Sequence, residues 1–244
     1  MIFRTILRSP RVLNIFTDAS ITNMNDKYVS CPGYVALTTS EDNQDILLSS
    51  NQVIIEDSTN NNGEIKAISM GIDYAILQMY NFDYINLFSD SKICIYGLRE
   101  WIYNWINNIS LNDDGYTYSM YNSSSKLVAN QNEFISIVNK IINNNLNICL
   151  YHQSGHVSDT QKSIYEAMKV FKSSNYFKGP LNYSDIVYIS QYNNMVDNNT
   201  RNYLANYIYT GISNKNVVQF AYYSDLNINK YAELTNKNLL KGGY

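Results

Sequence analysis

The sequence predicts an α/β domain, and two observations carry that reading. Five short apolar, β-branched runs are bounded by polar joins, as strands are. Apolar stripes at helical spacing lie between and after them. A third observation bears on function. Carboxylates recur where these strands end or helices begin, and in open α/β sheets ligands and catalytic groups collect outside the carboxyl ends of the strands.

Strand one is Val12 to Thr17 (VLNIFT), ending at Asp18-Ala19-Ser20. Asn23 to Lys27 is polar turn material. Gly33 to Leu37 is strand two, and Leu47 to Ile55 supplies strand three. Short polar joins between such strands indicate an antiparallel meander. Thr59 to Glu64 (TNNNGE) reads as a capping loop, and Ile65, Ile68, Ile72, Ala75, Ile76 and Met79 form the stripe of the helix that follows. Glu64 is thereby expected in the first helical turn, where a carboxylate also suits the helix dipole. Tyr84 to Phe88 is strand four, and it stops at Ser89-Asp90-Ser91. From Ile93 the pattern is helical, with Gly97, Trp101 and Trp105 at intervals of four. Asp90 therefore sits between a strand and a helix, a position that equally suits a helix cap.

Residues 108–126 read as a loop, 131–142 as a helix with Phe134, Ile137, Val138, Ile141 and Ile142 on one side, and Asn147 to Tyr151 as strand five. A Ser154-Gly155-His156-Val157 loop follows. Residues 159–172 are helical, 179–183 are a break, and 193–208 are the last core helix, carrying Asp197 and Arg201. No period is visible beyond Gly211.

Composition sets bounds. A chain of 244 residues with 45% apolar residues can build one good core. Asn and the 23 Tyr take surface positions that Lys, Glu and Arg usually fill, and the Asn, Ile, Lys and Tyr bias is that of an AT-rich coding sequence. A net charge of −3 argues against a broad basic surface, although cations can bridge carboxylates to phosphates. Cys31, Cys94 and Cys149 are widely spaced in apolar contexts, so they read as buried thiols in a reducing compartment. No apolar run has the length of a membrane span, and residues 1–11 are basic without the apolar core of a secretion signal. The expectation is a monomer in the cytoplasm, or the host cytoplasm if the source is a virus.

Asp18, Glu64, Asp90 and Asp197 are thus four acids whose chain order is compatible with one shared site. Such a cluster is costly unless cations neutralise it, and hard oxygen ligands favour Mg²⁺ or Mn²⁺. Two ions about 4 Å apart would activate water and stabilise a leaving oxygen in phosphodiester cleavage.

The motifs resemble the type-I ribonuclease H family, in the family's order, over residues 12 to about 206. IFTDAS (15–20) resembles its first strand, TNNNGE (59–64) its Thr-Asn-Asn-x-x-Glu turn, and SGHV (154–157) its loop with an assisting His. SDSKICIYGLREWIYNW (89–105), the most specific match, resembles its Asp-Ser segment and Trp-x-x-x-Trp helix. NNMVDNNTR (193–201) resembles its closing helix. The resemblance implies a ribonuclease-H-like five-stranded mixed sheet, three antiparallel strands then two parallel, flanked by helices. It implies an endoribonuclease that cuts the RNA strand of RNA–DNA hybrids with two Mg²⁺ ions, for which Mn²⁺ may substitute. Asp18, Glu64, Asp90 and Asp197 would be metal ligands, and His156 would help proton transfer or product release. Asn60, Asn61 and Asn130 would contact substrate backbone, with Ser91 beside the metal site. Primer removal in an AT-rich viral or bacterial genome would fit.

The sequence departs from the family in three places. The turn after strand one has fewer glycines, the basic helical protrusion is missing from 106–127, and 41 positions separate His156 from Asp197. The expected organisation is an N-terminal extension (1–11), a catalytic domain (12–208) with an inserted loop and helix (157–192), and a C-terminal extension (209–244). Arg4, Arg8, Arg11, Lys162, Lys169, Lys172, Lys178, Lys230, Lys237 and Lys241 would then grip the hybrid from outside the core, or only keep the surface soluble. His152 reads as a strand-end residue, Trp101 and Trp105 as core, and Asp26, Asp83, Asp159 and Asp185 as solvated. Arg201 reads as an i,i+4 partner of a neighbouring acid. Two other functions stand beside hybrid cleavage: a related DNA nuclease of resolvase or transposase type, and a catalytically silent binding or assembly module.

Overall fold

The structure is a computed structural model. It describes residues 11–24, 26–40, 42, 44–115, 117–210 and 227–235. The expected extension at 1–10 and most of the tail, with Arg4, Arg8, Lys237 and Lys241, lie outside the described residues.

Strands β1 (Val12–Met24), β2 (Lys27–Thr39) and β3 (Asp45–Gln52) form an antiparallel meander, and the two-residue β4 (Ile55–Glu56) pairs with β2. Helix α1 (Asn60–Gln78) crosses over to β5 (Tyr84–Ser89), which pairs parallel with β1. A helical run follows as α2 (Lys92–Tyr96), a π turn (Gly97–Trp101) and α3 (Ile102–Ile106). Next come a small hairpin of β6 (Ile109–Leu111) and β7 (Tyr118–Met120), then α4 (Gln131–Asn143), and then β8 (Ile148–His152), parallel to β5. Helices α5 (Gln161–Ser174), α6 (Tyr183–Thr210) and α7 (Ile228–Leu234) complete the order. The main sheet runs β3-β2-β1-β5-β8, so the expected mixed sheet of three antiparallel and two parallel strands is the fold.

Alternation along the strands splits the core in two. Leu13, Ile15, Ala36, Leu87 and Leu150 face α1, α4 and the α2–α3 run. Phe16, Val35, Leu37, Phe88 and Tyr151 face α5 and α6. Covering both faces is what the parallel part of a sheet requires. Each such side chain, fully buried, contributes roughly 1.5–3 kcal/mol.

Several expectations need correction. Strand β1 does not end at Asp18. Its parallel pairing with β5 stops at Thr17↔Ser89, but antiparallel pairing with β2 continues to Met24↔Lys27. Asp18 thus lies inside a strand, one residue past its parallel neighbour. The third strand breaks into β3 and β4. Thr59 caps α1, its hydroxyl accepting from the Asn62 N–H at 3.2 Å, so the helix begins at Asn60 and Glu64 falls in the second turn. The loop expected at 108–126 contains the β6–β7 hairpin. The last core helix starts at Tyr183, ten residues early, and crosses the expected end of the insertion at 192. Asp185 is buried, its carboxylate accepting from the Asn182 N–H at 2.8 Å. Trp105 is core, but Trp101 is 37% exposed, because the π turn adds a residue to the period.

Helix α7 lies in the expected C-terminal extension, yet Tyr231 is fully buried in the main core. Its hydroxyl donates to the Leu98 carbonyl within the π turn at 2.8 Å. Gly97 permits that turn to press on α4, since an added Cβ would lie 2.5 Å from the Phe134 ring.

Candidate active site

Asp18, Glu64 and Asp90 converge at the carboxyl end of the parallel strands. One carboxylate oxygen from each lies within 4.8 Å of the others. Three local features bring them there. The end of the β1–β5 pairing places Asp18 beside the Ser89-Asp90 turn. Gly63 lets α1 approach the sheet, since a Cβ there would lie 3.1 Å from both Ala19 Cβ and Ser30 Cβ. The Gln153 N–H donates to the Ser89 carbonyl at 3.1 Å, so the loop after β8 folds over Asp90. Gly155 sits there because any Cβ would collide with Asp90 Oδ2.

The acids disturb one another. Burial, then the charge of Asp90, pushes Asp18 up to about 7, against a partial offset from the Ala19 N–H. Burial first, then Asp18, Asp90 and Asp197, holds Glu64 well above the usual carboxylate range. Burial also raises Asp90, offset chiefly by His156. Glu64 Oε2 is buried with no hydrogen-bond partner. Hard oxygens, mutual repulsion and an orphaned buried acceptor together fit a hard divalent cation.

Asp197 stands at the rim, outside that tight trio. Its carboxylate accepts from Arg201 Nε at 2.7 Å and lies 3.7 Å from His156 Nδ1. The i,i+4 pairing of Arg201 is the one its spacing suggests. His156 is 71% exposed and its backbone is left-handed, with φ of 51°. Asp18, Glu64, Asp90, His156, Asp197 and Asn60 all line one cleft of about 520 Å³. The 41-residue spacing therefore does not separate His156 from Asp197.

The remaining candidates, Asn61, Ser91 and Asn130, are not among the residues that line this cleft. The Cys94 thiol donates to the Asn61 carbonyl at 3.9 Å and receives a hydrogen bond from Ser91. Asn130, left-handed at φ 55°, accepts from the Asn62 amide at 3.3 Å and so abuts the start of α1. Cys31 and Cys94 are buried, which pushes both thiols up to about 12. Burial also lowers His152 to about 4, so its ring is neutral at physiological pH.

Sequence reading missed Asn193 and Gln153, each 2% exposed. The Gln153 amide donates to Asn193 Oδ1 at 2.6 Å, and Asn193 in turn bonds the Asp90 carboxylate. The signal for Asn193 was available, since it lies four residues before Asp197 on one helix face. Gln153 carried none.

A family model described as RNase H matches residues 10–164, more than half of the chain. No curated protein matches the sequence. Among solved structures, the foamy viral protease–reverse transcriptase in complex with RNA/DNA hybrid is 15% identical with a TM-score of 0.47. That match covers 68% of this chain and 20% of the viral one, so this chain spans about a fifth of that protein. The RNase H domain of prototype foamy virus is 17% identical with a TM-score of 0.45, covering 67% of this chain and 94% of that domain. LC11-RNase H1, isolated from compost by a metagenomic approach, is 14% identical with a TM-score of 0.40, covering 67% and 95%. No helix among the described residues is long and apolar enough to cross a membrane. On the family match over residues 10–164, the chain belongs to the RNase H family.

Proposed function

We propose that the protein is an endoribonuclease that cleaves the RNA strand of RNA–DNA hybrids with two divalent cations, Mg²⁺ by default and Mn²⁺ as a substitute. The observation that carries this reading is the trio of buried Asp18, buried Glu64 and half-buried Asp90, with carboxylate oxygens within 4.8 Å of one another in a chain of this family. Asp18, Glu64 and Asp90 hold cation charge, and Asp197 contributes from the rim. When bound, the cations supply an activated water and stabilise the leaving oxygen. His156, exposed at the cleft mouth, passes a proton there or helps product leave. Asn60, Asn61 and Asn130 hold substrate backbone, with Ser91 beside the cation site. The main chain at Asn62 and Gly63, together with Glu64, reads the 2′-hydroxyl that distinguishes RNA from DNA. We further propose the domain boundaries given above, with the inserted segment at 157–192, action as a monomer inside the cell, and a role such as primer removal.

The test is a labelled RNA–DNA hybrid with Mg²⁺ or Mn²⁺, beside duplex DNA, duplex RNA and a 2′-O-methyl RNA hybrid. Cutting confined to the RNA strand of the hybrid is expected. Efficient nicking of all-DNA duplex would favour a resolvase-type nuclease. Cation binding without any cleavage would favour the silent binding module.

A further inference from the structure

The insertion between His156 and Asp197 reaches back to the acids through a buried polar chain. Strand β8 is the last strand of the sheet among the described residues, so its outer edge has no strand partner there. At that edge the side chain of Asn175, which follows α5, takes the place of one. Its Oδ1 accepts the His152 N–H at 2.9 Å and its Nδ2 donates to the His152 carbonyl at 2.7 Å. Asn175 is 3% exposed, so both bonds are shielded from water.

Arg99 holds the amide in place. It is fully buried on the π turn. Its Nη1 donates to Asn175 Oδ1 at 2.8 Å and to the Leu150 carbonyl on the same edge of β8 at 3.4 Å. Its Nη2 donates to the Ser174 carbonyl and to Glu100 Oε1. Tyr96, six residues on from Asp90, adds a hydroxyl bond to the same Ser174 carbonyl at 3.1 Å. A buried guanidinium is costly unless its donors are used; here four acceptors take the two Nη groups, while Nε has no partner among the described residues. Two of the four belong to the inserted segment, Ser174 and Asn175.

The chain then ends on a metal-site residue. His152 pairs with Ser89 in the sheet, and the next residue, Gln153, donates its N–H to the Ser89 carbonyl at 3.1 Å. Asn175 therefore fixes the His152 backbone, and the strand end it fixes holds the Ser89-Asp90 turn. Asn175 lies beyond residue 164, where the family match ends.

We propose that Asn175 and Arg99 are positioning residues that act through His152 to hold Asp90 in its cation-binding geometry, which makes the inserted segment a buttress of the metal site. This rests on the proposed cation site, but its test does not need the hybrid substrate. Groups that orient metal ligands from behind typically change metal affinity by about 10–100-fold when replaced.

The experiment is Mn²⁺ binding by calorimetry on the full chain, with melting temperature measured alongside. Asn175→Ala removes both bonds to the His152 backbone. Asn175→Asp keeps the acceptor for Arg99 and His152 but loses the donor to the His152 carbonyl. Both are expected to weaken Mn²⁺ binding by about tenfold or more. Lys169→Ala, on the exposed face of α5, leaves it unchanged. Lower melting temperatures with Mn²⁺ affinity equal to wild type would overturn the proposal and leave these residues as fold supports only. If Asn175→Ala does not fold, Asn175→Asp decides the matter by the same readout. A wild type that binds no Mn²⁺ would instead sink the cation site itself.

Discussion

The carboxylates of the cleft fall into two unlike groups. Asp18 and Glu64 are 6% and 7% exposed, and with Asp90 they crowd together without a close ion-pair partner among the described residues. Asp197 is a rim residue with Arg201 at 2.7 Å and His156 at 3.7 Å. The inner group is repulsive as folded and needs added positive charge. The outer one carries its own counter-charge. The inner acids should therefore be all-or-none for cation-dependent chemistry, and the outer residues should only adjust it.

The largest effects should come from the inner group. Glu64→Gln and Asp18→Asn should each reduce hybrid cleavage by at least about 10³-fold, since cation charge stabilisation amounts to several kcal/mol. Circular dichroism should show the fold retained. His156→Ala should slow turnover by about 10²-fold to at most 10⁴-fold without abolishing it. Full multiple-turnover activity in that variant, across pH, would remove His156 from the reaction.

A third prediction uses the sign of the Asp18 shift. Its folded value near 7 lies above the ordinary 3.8, so the folded protein binds this proton more tightly than the unfolded chain does. Without cations, stability should then fall as pH rises from about 4 to about 7. The slope should flatten in Asp18→Asn, and added Mg²⁺ should restore stability above pH 7. A cation-free melting temperature that climbs across this window would contradict the repulsion argument.

The smallest effect belongs to the rim. Arg201→Ala breaks an exposed i,i+4 pair, and such pairs contribute only about 0.3–0.5 kcal/mol. Its melting temperature should barely move, and cleavage should change far less than in any inner-group variant.

How much of this could be read from the chain alone depends on range. The strands and most helices were legible because their patterns are local: VLNIFT, YINLF and the Ile stripe after Glu64 each carry their own period. The four acids were singled out from expected strand and helix ends and from family motifs, and the structure brings them to one cleft although Asp18 lies inside β1 and Glu64 in the second turn of α1. What escaped reading depends on distant partners. The extension of β1 past Asp18 is set by β2, through pairs such as Thr22↔Val29. The early start of α6 is hidden because Tyr188, Ile189 and Tyr192 are buried beside polar Ser190 and Asn193, which blurs the stripe. Asp185 was read as solvated because nothing local announces its burial. Asn175 and Gln153 are ordinary polar residues in sequence, and only the fold brings them to the Asp90 loop.

The most direct test of the two-group account is a thermal melt with and without Mg²⁺ for wild type, Asp90→Asn and Arg201→Ala. The account predicts a large Mg²⁺-induced rise for wild type, a similar rise for Arg201→Ala, and a much smaller one for Asp90→Asn, whose cation-free form should already melt slightly higher than wild type because one repelling charge is gone. Equal Mg²⁺ shifts in wild type and Asp90→Asn would contradict it, because the inner carboxylates would then not be where the cation binds.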